Sequence, residues 1–188
     1  MFDELEQSGF ITHYIPFEKT SRDTLYKLTD EYSLFYLKFV ERTRATGPGT
    51  WEKIAKGQSY NSWSGFAFEA ICHKHVEQII KALKIEALTE ASPWRYIPKK
   101  GETGAQIDLV LDRDDDSINI CEMKFASSSF TIDKKYAAEL ASKENVFQQQ
   151  TRTKKNIFLT MITTYGVKQN NYYDQRVQDE VVMDDLFK

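Results

Sequence analysis

The sequence predicts an α/β fold, because helical and strand-type apolar patterns alternate along most of its 188 residues. Aromatic residues are plentiful, with 12 Phe, 10 Tyr and 3 Trp, which is enough apolar surface for a sizeable core. The order is helix, three strands, helix and strand, with an extra strand near the C-terminal end. The helices are predicted at about 65–84 and 133–152, and the strands at about 93–98, 105–112, 117–125, 156–163 and 180–183.

The first helix is marked by one apolar stripe that begins after a capping residue. Ser64 is a candidate N-cap, since its side chain can accept a hydrogen bond from the first turn. Glu69 lies at the edge of the stripe, so we expect it to lean toward the sheet rather than into water. The stripe consists of Phe68, Cys72, Val76, Ile79 and Leu83.

The second and third strands are separated by the acidic turn Asp112–Asp116, which predicts a hairpin. The helix that follows has an imperfect inner side, formed by Ala137, Leu140, Glu144 and Phe147. The alternating acids of the Asp112–Asp116 turn also suggest a calcium-binding loop. That loop would need a glycine where Ser117 stands and a bidentate Glu where Met123 stands, so an acidic turn is favoured.

The first 45 residues differ from the rest and are too short to bury much surface alone. Leu25–Leu28 alternates like a strand, and Asp30–Val40 follows a helical pattern with acids at its start. The run Thr46–Thr50 has the composition of a linker, Trp51–Ala55 of a short helix, and Lys56–Asn61 of a loop. We therefore divide the chain into residues 1–45, a linker at 46–61, and a main domain at 62–188.

Composition excludes some classes of protein and gives little support to others. No apolar run approaches the ~20 residues that span a bilayer, and the first residues lack the pattern of a signal peptide. Cys72 and Cys121 each lie in an apolar segment, which predicts two buried thiols and a cytoplasmic protein. The net charge of −3 does not favour a dedicated nucleic-acid binder, and the short basic clusters are typical of a solvated surface.

The most informative residues are charges that lie inside two consecutive strand patterns. Asp108 lies in Gln106–Leu111, and Glu122 and Lys124 lie in Asn119–Phe125. Residues i and i+2 of a strand share a face, so Glu122 and Lys124 point the same way, as Gln106, Asp108 and Val110 are expected to do. In a hairpin these charges meet on one face.

Two carboxylates at such a position offer the hard oxygen ligands that Mg²⁺ prefers. Glu69 can complete the acidic cluster through a metal-bound water, and Lys124 can hold a water or stabilise charge on a phosphorane. The alternative is a solvent-facing pair of Glu122 and Lys124 with Asp108 nearby, worth ~0–1 kcal/mol.

Two other site types are disfavoured by spacing. A zinc site at Cys72, His73 and His75 would need a second ligand pair, which is absent from the sequence at the expected spacing. The aromatic run from Tyr32 to Phe39 is more typical of packing than of a base-stacking platform.

Glu69 on a helix, Asp108 on a strand and Glu122-Met123-Lys124 on the next strand resemble the PD-(D/E)xK nuclease superfamily. More narrowly, the segments 65–69, 104–109 and 121–125 are similar to the C-terminal DUF234-type region of prokaryotic AAA-type ATPases. Residues 5–40 resemble the end of the winged helix that precedes this region. The resemblance implies a restriction-endonuclease-like core, with a mixed central sheet flanked by helices, and a small N-terminal winged-helix remnant.

The resemblance also implies a role for each matched residue. Asp108 and Glu122 would bind Mg²⁺ or Mn²⁺, Glu69 would assist, and Lys124 would position the attacking water. Gln106 would approach the scissile phosphate, and Gln148 and Thr151 are weaker substrate-binding candidates on the later helix. Ile107 stands where the superfamily has Pro, which is compatible with the site because the Asp is the ligand.

Three functions follow from this sequence. The first is Mg²⁺-dependent cleavage of DNA by a nuclease-like hydrolase that is normally attached to an upstream ATPase. These residues contain no Walker A loop, so the chain by itself is not expected to hydrolyse ATP. The second is a catalytically inactive interaction or regulatory module of that ATPase, and the third is a DNA-binding adaptor. No membrane partner is expected, and a homo-oligomer is compatible with the sequence.

Overall fold

The structure is a computed structural model that describes residues 1–45 and 47–188. A five-stranded sheet forms its centre, and a two-stranded sheet lies in the N-terminal part. The strands are β1 (Ile11–Tyr14), β2 (Leu25–Leu28), β3 (Thr89–Tyr96), β4 (Ala105–Arg113), β5 (Ser117–Lys124), β6 (Asn156–Thr163) and β7 (Asp179–Val182). The helices are α1 (Phe2–Gln7), α2 (Glu31–Phe35), α3 (Thr50–Ala55), α4 (Gln58–Lys74), α5 (Val76–Ala82), α6 (Lys134–Thr151) and α7 (Asn171–Arg176).

The central sheet has the order β3-β4-β5-β6-β7 and is mixed. β4 is antiparallel to both of its neighbours, β3 and β5, whereas β5, β6 and β7 are parallel. One apolar cluster packs α6 against a face of the sheet, and a second packs α4 and α5 against the other face. The predicted α/β fold with a mixed sheet flanked by helices is therefore confirmed.

The strands of the main domain were predicted to within a few residues, and the hairpin between β4 and β5 is confirmed. The single predicted helix at 65–84 is wrong, because α4 ends at Lys74 and α5 begins at Val76. His75 leaves the helical backbone conformation between them, with φ −116° and ψ 31°. Ser64 is buried inside α4 rather than at its N-cap, since the helix begins at Gln58.

The N-terminal part is a β1–β2 hairpin followed by helical segments. β2 matches the predicted strand at Leu25–Leu28, whereas β1 was not predicted. The predicted helix at 30–40 consists of α2 and a π-helical continuation at Tyr36–Val40. Asp30 caps the N-terminus of α2, because its side chain accepts a hydrogen bond from the Ser33 N–H.

Helix fills most of the segment predicted as a linker at 46–61. The short helix predicted at Trp51–Ala55 is present as α3, but the loop predicted at Lys56–Asn61 is wrong because α4 starts at Gln58. The physical reason is aromatic packing, since Trp51 and Trp63 both lie edge-on against Phe35. Thr46, the first residue of the predicted linker, lies outside the described residues.

The β1–β2 hairpin is fixed to the main domain by hydrogen bonds at two points. The Phe17 N–H donates to the Pro93 carbonyl on β3, at 3.0 Å. Lys74 on α4 donates from Nζ to the Thr29 carbonyl, at 2.8 Å. These bonds bring the hairpin over α4 and the β3–β4 edge of the sheet.

Both cysteines are free and buried, as the sequence predicted. Over the described ranges 1–45 and 47–188, no helix has the length and apolar character required to cross a membrane.

Candidate functional site

Asp108 is held at the point where β4 and β5 stop pairing. The antiparallel register of the two strands runs from Asp112 opposite Ile118 to Leu109 opposite Cys121. Beyond Leu109 and Cys121 the backbones of β4 and β5 no longer pair. The Met123 N–H of β5 donates instead to the side chain of Asp108, at 3.0 Å from Oδ2. Asp108 therefore lies between the two strands, where a side chain can approach both.

A bulge beside Asp108 changes which way β4 side chains point. On the β3 side, the register moves from Ser92 opposite Val110 to Trp94 opposite Ile107, so β4 has one extra residue there. Pro93 lies at this step and has no N–H to offer to β4. Ile107 and Val110 consequently both pack on the α6 side.

The bulge overturns one expectation about faces. The sequence predicted that Gln106, Asp108 and Val110 share a face by simple alternation. Val110 instead lies in the core on the α6 side, whereas Gln106 and Asp108 line a cavity beside α4. Alternation along a strand fails wherever an extra residue is inserted.

Glu122 is a buried carboxylate surrounded by donors, with 2% of its side chain exposed. Oε1 accepts a hydrogen bond from Lys143 Nζ at 2.7 Å, and Oε2 accepts one from the Tyr136 hydroxyl at 3.2 Å. Lys124 Nζ lies 3.4 Å from Oε2. A solvent-facing pair of Glu122 and Lys124 therefore does not describe this carboxylate.

The two partners on α6 were missed by the sequence analysis. Tyr136 and Lys143 are seven residues apart, which places them on one side of a helix together with Leu140. A lysine in line with buried Leu140 and Phe147 was the available signal, because a charge within an apolar stripe requires a partner. Burial and the charge of Glu122 raise the pKa of Tyr136, so its hydroxyl stays protonated and donates.

Glu69 on α4 interacts electrostatically with all three of the other predicted charges. Burial is the largest cause of its raised pKa, and the charge of Asp108 is the second. Lys27 and Lys124 act in the opposite direction, while Glu122 adds to the increase. Glu69 and Asp108 thus line one cavity beside α4, whereas Glu122 and Lys124 contact Tyr136 on α6, so the charges do not all meet on one face as the sequence predicted.

A cavity of about 260 Å³ lies between the β1–β2 hairpin, α4 and the sheet. Glu69, Gln106 and Asp108 line it, and Lys27 and His73 were not predicted but line it as well. Burial, followed by the charge of Lys27, lowers the pKa of His73 to about 4, so its imidazole is neutral at pH 7.

Gln148 and Thr151 are not brought to the carboxylates. Gln148 is exposed near the C-terminal end of α6. The Thr151 hydroxyl donates to the Phe147 carbonyl at 2.8 Å. Thr151 follows Lys143 by eight residues, which separates them by ~12 Å along a helix axis.

The donors fit magnesium by type, but no preformed cage is present. Among the residues that the structure describes, no three His, Cys, Asp or Glu side chains are grouped as ligands of a metal ion. Both oxygens of Glu122 face protonated donors, as given above, and one oxygen of Asp108 accepts the Met123 N–H. Positive charge supplied by lysine therefore balances the buried carboxylate in this structure.

These features define a mixed α/β protein with interacting charges at the end of one hairpin. The chain belongs to the DUF234 family, described as archaeal and bacterial proteins of unknown function, whose family model matches residues 34–139. This confirms the family predicted from the sequence, and the family description names no activity.

Two further comparisons add no function. No curated protein matches this chain. The crystal structure of a protein of unknown function, AF1548, is similar with 14% sequence identity and a TM-score of 0.40. The alignment covers 58% of this chain and 57% of that one, so the chain spans little more than half of that protein.

Proposed function

We propose that this chain contains a metal-dependent nuclease domain that cleaves DNA phosphodiester bonds. The observation that supports the proposal is that the charges of Asp108, Lys124 and Glu122 all act on Glu69, while Lys124 Nζ lies 3.4 Å from Oε2 of Glu122. The domain would have the restriction-endonuclease-like, PD-(D/E)xK type of core. Residues 1–45 would be the end of a winged helix that follows an upstream AAA-type ATPase, in a cytoplasmic protein.

Magnesium or manganese is the cofactor that the oxygen donors fit. Burial is the main cause of the raised pKa of Glu69, and repulsion by the carboxylates of Asp108 and Glu122 adds to it, which a bound cation would relieve. Asp108 and Glu122 would hold the ion and Glu69 would support it, with Lys143 giving up its contact to Glu122. When bound, the ion would polarise the phosphate and lower the pKa of a bound water.

Lys124 would act on the substrate phosphate. Its side chain is 31% exposed, and its Nζ lies 5.6 Å from the centre of the Tyr136 ring, which together with Glu122 restricts its position. A fixed ammonium at this place can orient the attacking water and stabilise charge that develops on the phosphate. Gln106 lines the same cavity as Asp108 and can donate to a phosphate oxygen.

The first experiment is a thermal melt with and without Mn²⁺ on wild type and Asp108→Asn. Asparagine keeps an oxygen for the Met123 N–H but removes the charge. A ligand that binds only the folded protein adds about 2.7 kcal/mol to the free energy of unfolding at 100 times its Kd, and this gain should vanish in Asp108→Asn.

The matched control is Asp114→Asn, which changes an exposed acid of the hairpin turn and should keep the full Mn²⁺ effect. An equal Mn²⁺ effect in Asp108→Asn would show that the metal binds elsewhere. Cleavage of labelled DNA should fall about 10²–10³-fold in Lys124→Met, as expected for loss of one electrostatic stabiliser. Cleavage that persists in both variants would refute the proposed site.

A further inference from the structure

The β1–β2 hairpin contributes a lysine to the cavity that holds two of the proposed catalytic carboxylates. Lys27 lies on β2 directly opposite Thr12 on β1, and both line the cavity with Glu69 and Asp108. Glu69 and His73 of α4 line the same cavity as Lys27, and the charge of Lys27 acts on both.

Lys27 differs from other half-buried lysines of the chain in having no acidic partner. Lys124, Lys143 and Lys155 lie 3.4, 2.7 and 2.7 Å from a carboxylate oxygen, respectively. Among the described residues, Lys27 has no carboxylate oxygen within the 4.0 Å that defines an ion pair. His73 does not add a competing charge, since burial keeps it neutral. A half-buried lysine whose ammonium is not engaged in an ion pair can contact an anionic ligand.

The hairpin that presents Lys27 is positioned before any ligand binds. Phe17 is bonded to β3 on one side and Lys74 to Thr29 on the other, as described for the fold. Thr29 is only two residues from Lys27, so the second bond fixes the backbone close to it. Little conformational entropy is then lost when the ammonium contacts a ligand.

We propose that Lys27 binds a backbone phosphate of single-stranded DNA and holds it opposite Glu69 and Asp108. This inference rests on the proposed nuclease function and adds a substrate class to it. The cavity volume of about 260 Å³ lies just below the 300–1,000 Å³ usual for small-molecule pockets, so it suits one nucleotide unit better than a duplex.

The test measures binding rather than cleavage, in the Asp108→Asn background, with a fluorescein-labelled oligomer of ten thymidines and EDTA. Binding is followed by anisotropy over a range of salt concentrations. Each phosphate contact to a single strand contributes about 0.7 to the slope of log affinity against log salt. Lys27→Met should lower the slope by that amount, and Lys27→Arg should preserve it.

The control is Lys19→Met, which removes the same charge from an exposed position between β1 and β2 and should leave the slope unchanged. Lys27→Gln replaces Lys27→Met if the latter fails to fold in a thermal melt. An unchanged slope in Lys27→Met or Lys27→Gln would overturn the inference, as would an equal dependence on Lys27 for a blunt duplex of the same length.

The outcomes separate this inference from the proposed function. The thermal melts with Mn²⁺ and the cleavage assay on wild type test the nuclease and do not involve Lys27. A Lys27-dependent slope without metal-dependent cleavage would retain the phosphate site and refute the nuclease. Cleavage by wild type with no Lys27-dependent slope would retain the nuclease and refute the role of Lys27.

Discussion

Replacing Lys143 by Met tests whether the buried charge of Glu122 is balanced by α6. The side chain of Glu122 is 2% exposed and that of Lys143 is 18% exposed, with 2.7 Å between Oε1 and Nζ. Methionine keeps most of the aliphatic length but removes the ammonium. The substitution leaves a buried carboxylate with a weaker set of donors.

The size of the effect follows from what remains around Glu122. Breaking a fully buried ion pair costs about 3–5 kcal/mol, but Lys124 and Tyr136 still contact Oε2 at 3.4 and 3.2 Å. We therefore expect a loss of about 1–3 kcal/mol in the free energy of unfolding. For a chain of this size, each kcal/mol lowers Tm by about 2–4 °C.

The assay is urea denaturation followed by tryptophan fluorescence, without metal and with Mn²⁺. Because Lys143 no longer occupies Oε1, the stabilisation by Mn²⁺ should be larger in Lys143→Met than in wild type. Lys135→Met is the control, since it removes an exposed charge from the same helix and should change stability by less than about 0.5 kcal/mol. Unchanged stability of Lys143→Met would refute the balancing role, and an unchanged Mn²⁺ effect would show that Glu122 is not a metal ligand.

Two further predictions concern buried groups. His73 has an ordinary pKa of 6.5 and a folded-state pKa of about 4, so unfolding takes up a proton between these values and the stability of wild type falls as pH decreases through that range. In urea titrations this effect lowers the free energy of unfolding of wild type by about 2 kcal/mol between pH 7 and 4.5, and His73→Gln should lack this part of the loss. Parallel curves of unfolding free energy against pH for the two proteins would contradict the prediction. Cys72 and Cys121 are fully buried and burial raises the pKa of both thiols, so neither should react with a thiol reagent in the native protein and both should react in urea. Rapid modification of a thiol in the native protein, or a Tm that depends on reductant, would exclude two buried free thiols.

The sequence predicted the main domain well where periodicity was strong. The runs at 105–112 and 117–125 are apolar at more than half of their positions and are bounded by turn residues, and they correspond to β4 and β5. Helix boundaries were less accurate, because Ser64 looks like a cap by residue type while tertiary packing extends α4 to Gln58. β1 was missed because four residues that pair only with another short strand carry little pattern of their own.

The charges of the candidate site were found from the sequence, but their environment was not. Glu69, Asp108, Glu122 and Lys124 stand out because each lies in or beside an apolar pattern. Lys143 contacts Glu122 across 21 positions of sequence, and that pairing depends on how α6 crosses the sheet. No local pattern could show it.

The position of Asp108 connects the fold to the proposed chemistry. In regular pairing its side chain would lie on one face of the sheet, and the backbone of Met123 would bond to β4. The bulge opposite Pro93 and the end of the β4–β5 ladder instead let Oδ2 take the Met123 N–H. Asp108 thus lines the cavity on the α4 side and is hydrogen-bonded to β5, the strand that carries Glu122. The hydrogen-bond partners of Glu122 come from α6. A cation shared by Asp108 and Glu122 would have to lie at this opening between the strands, because Asp108 lines the cavity on the α4 side while Glu122 contacts Tyr136 and Lys143 on the α6 side.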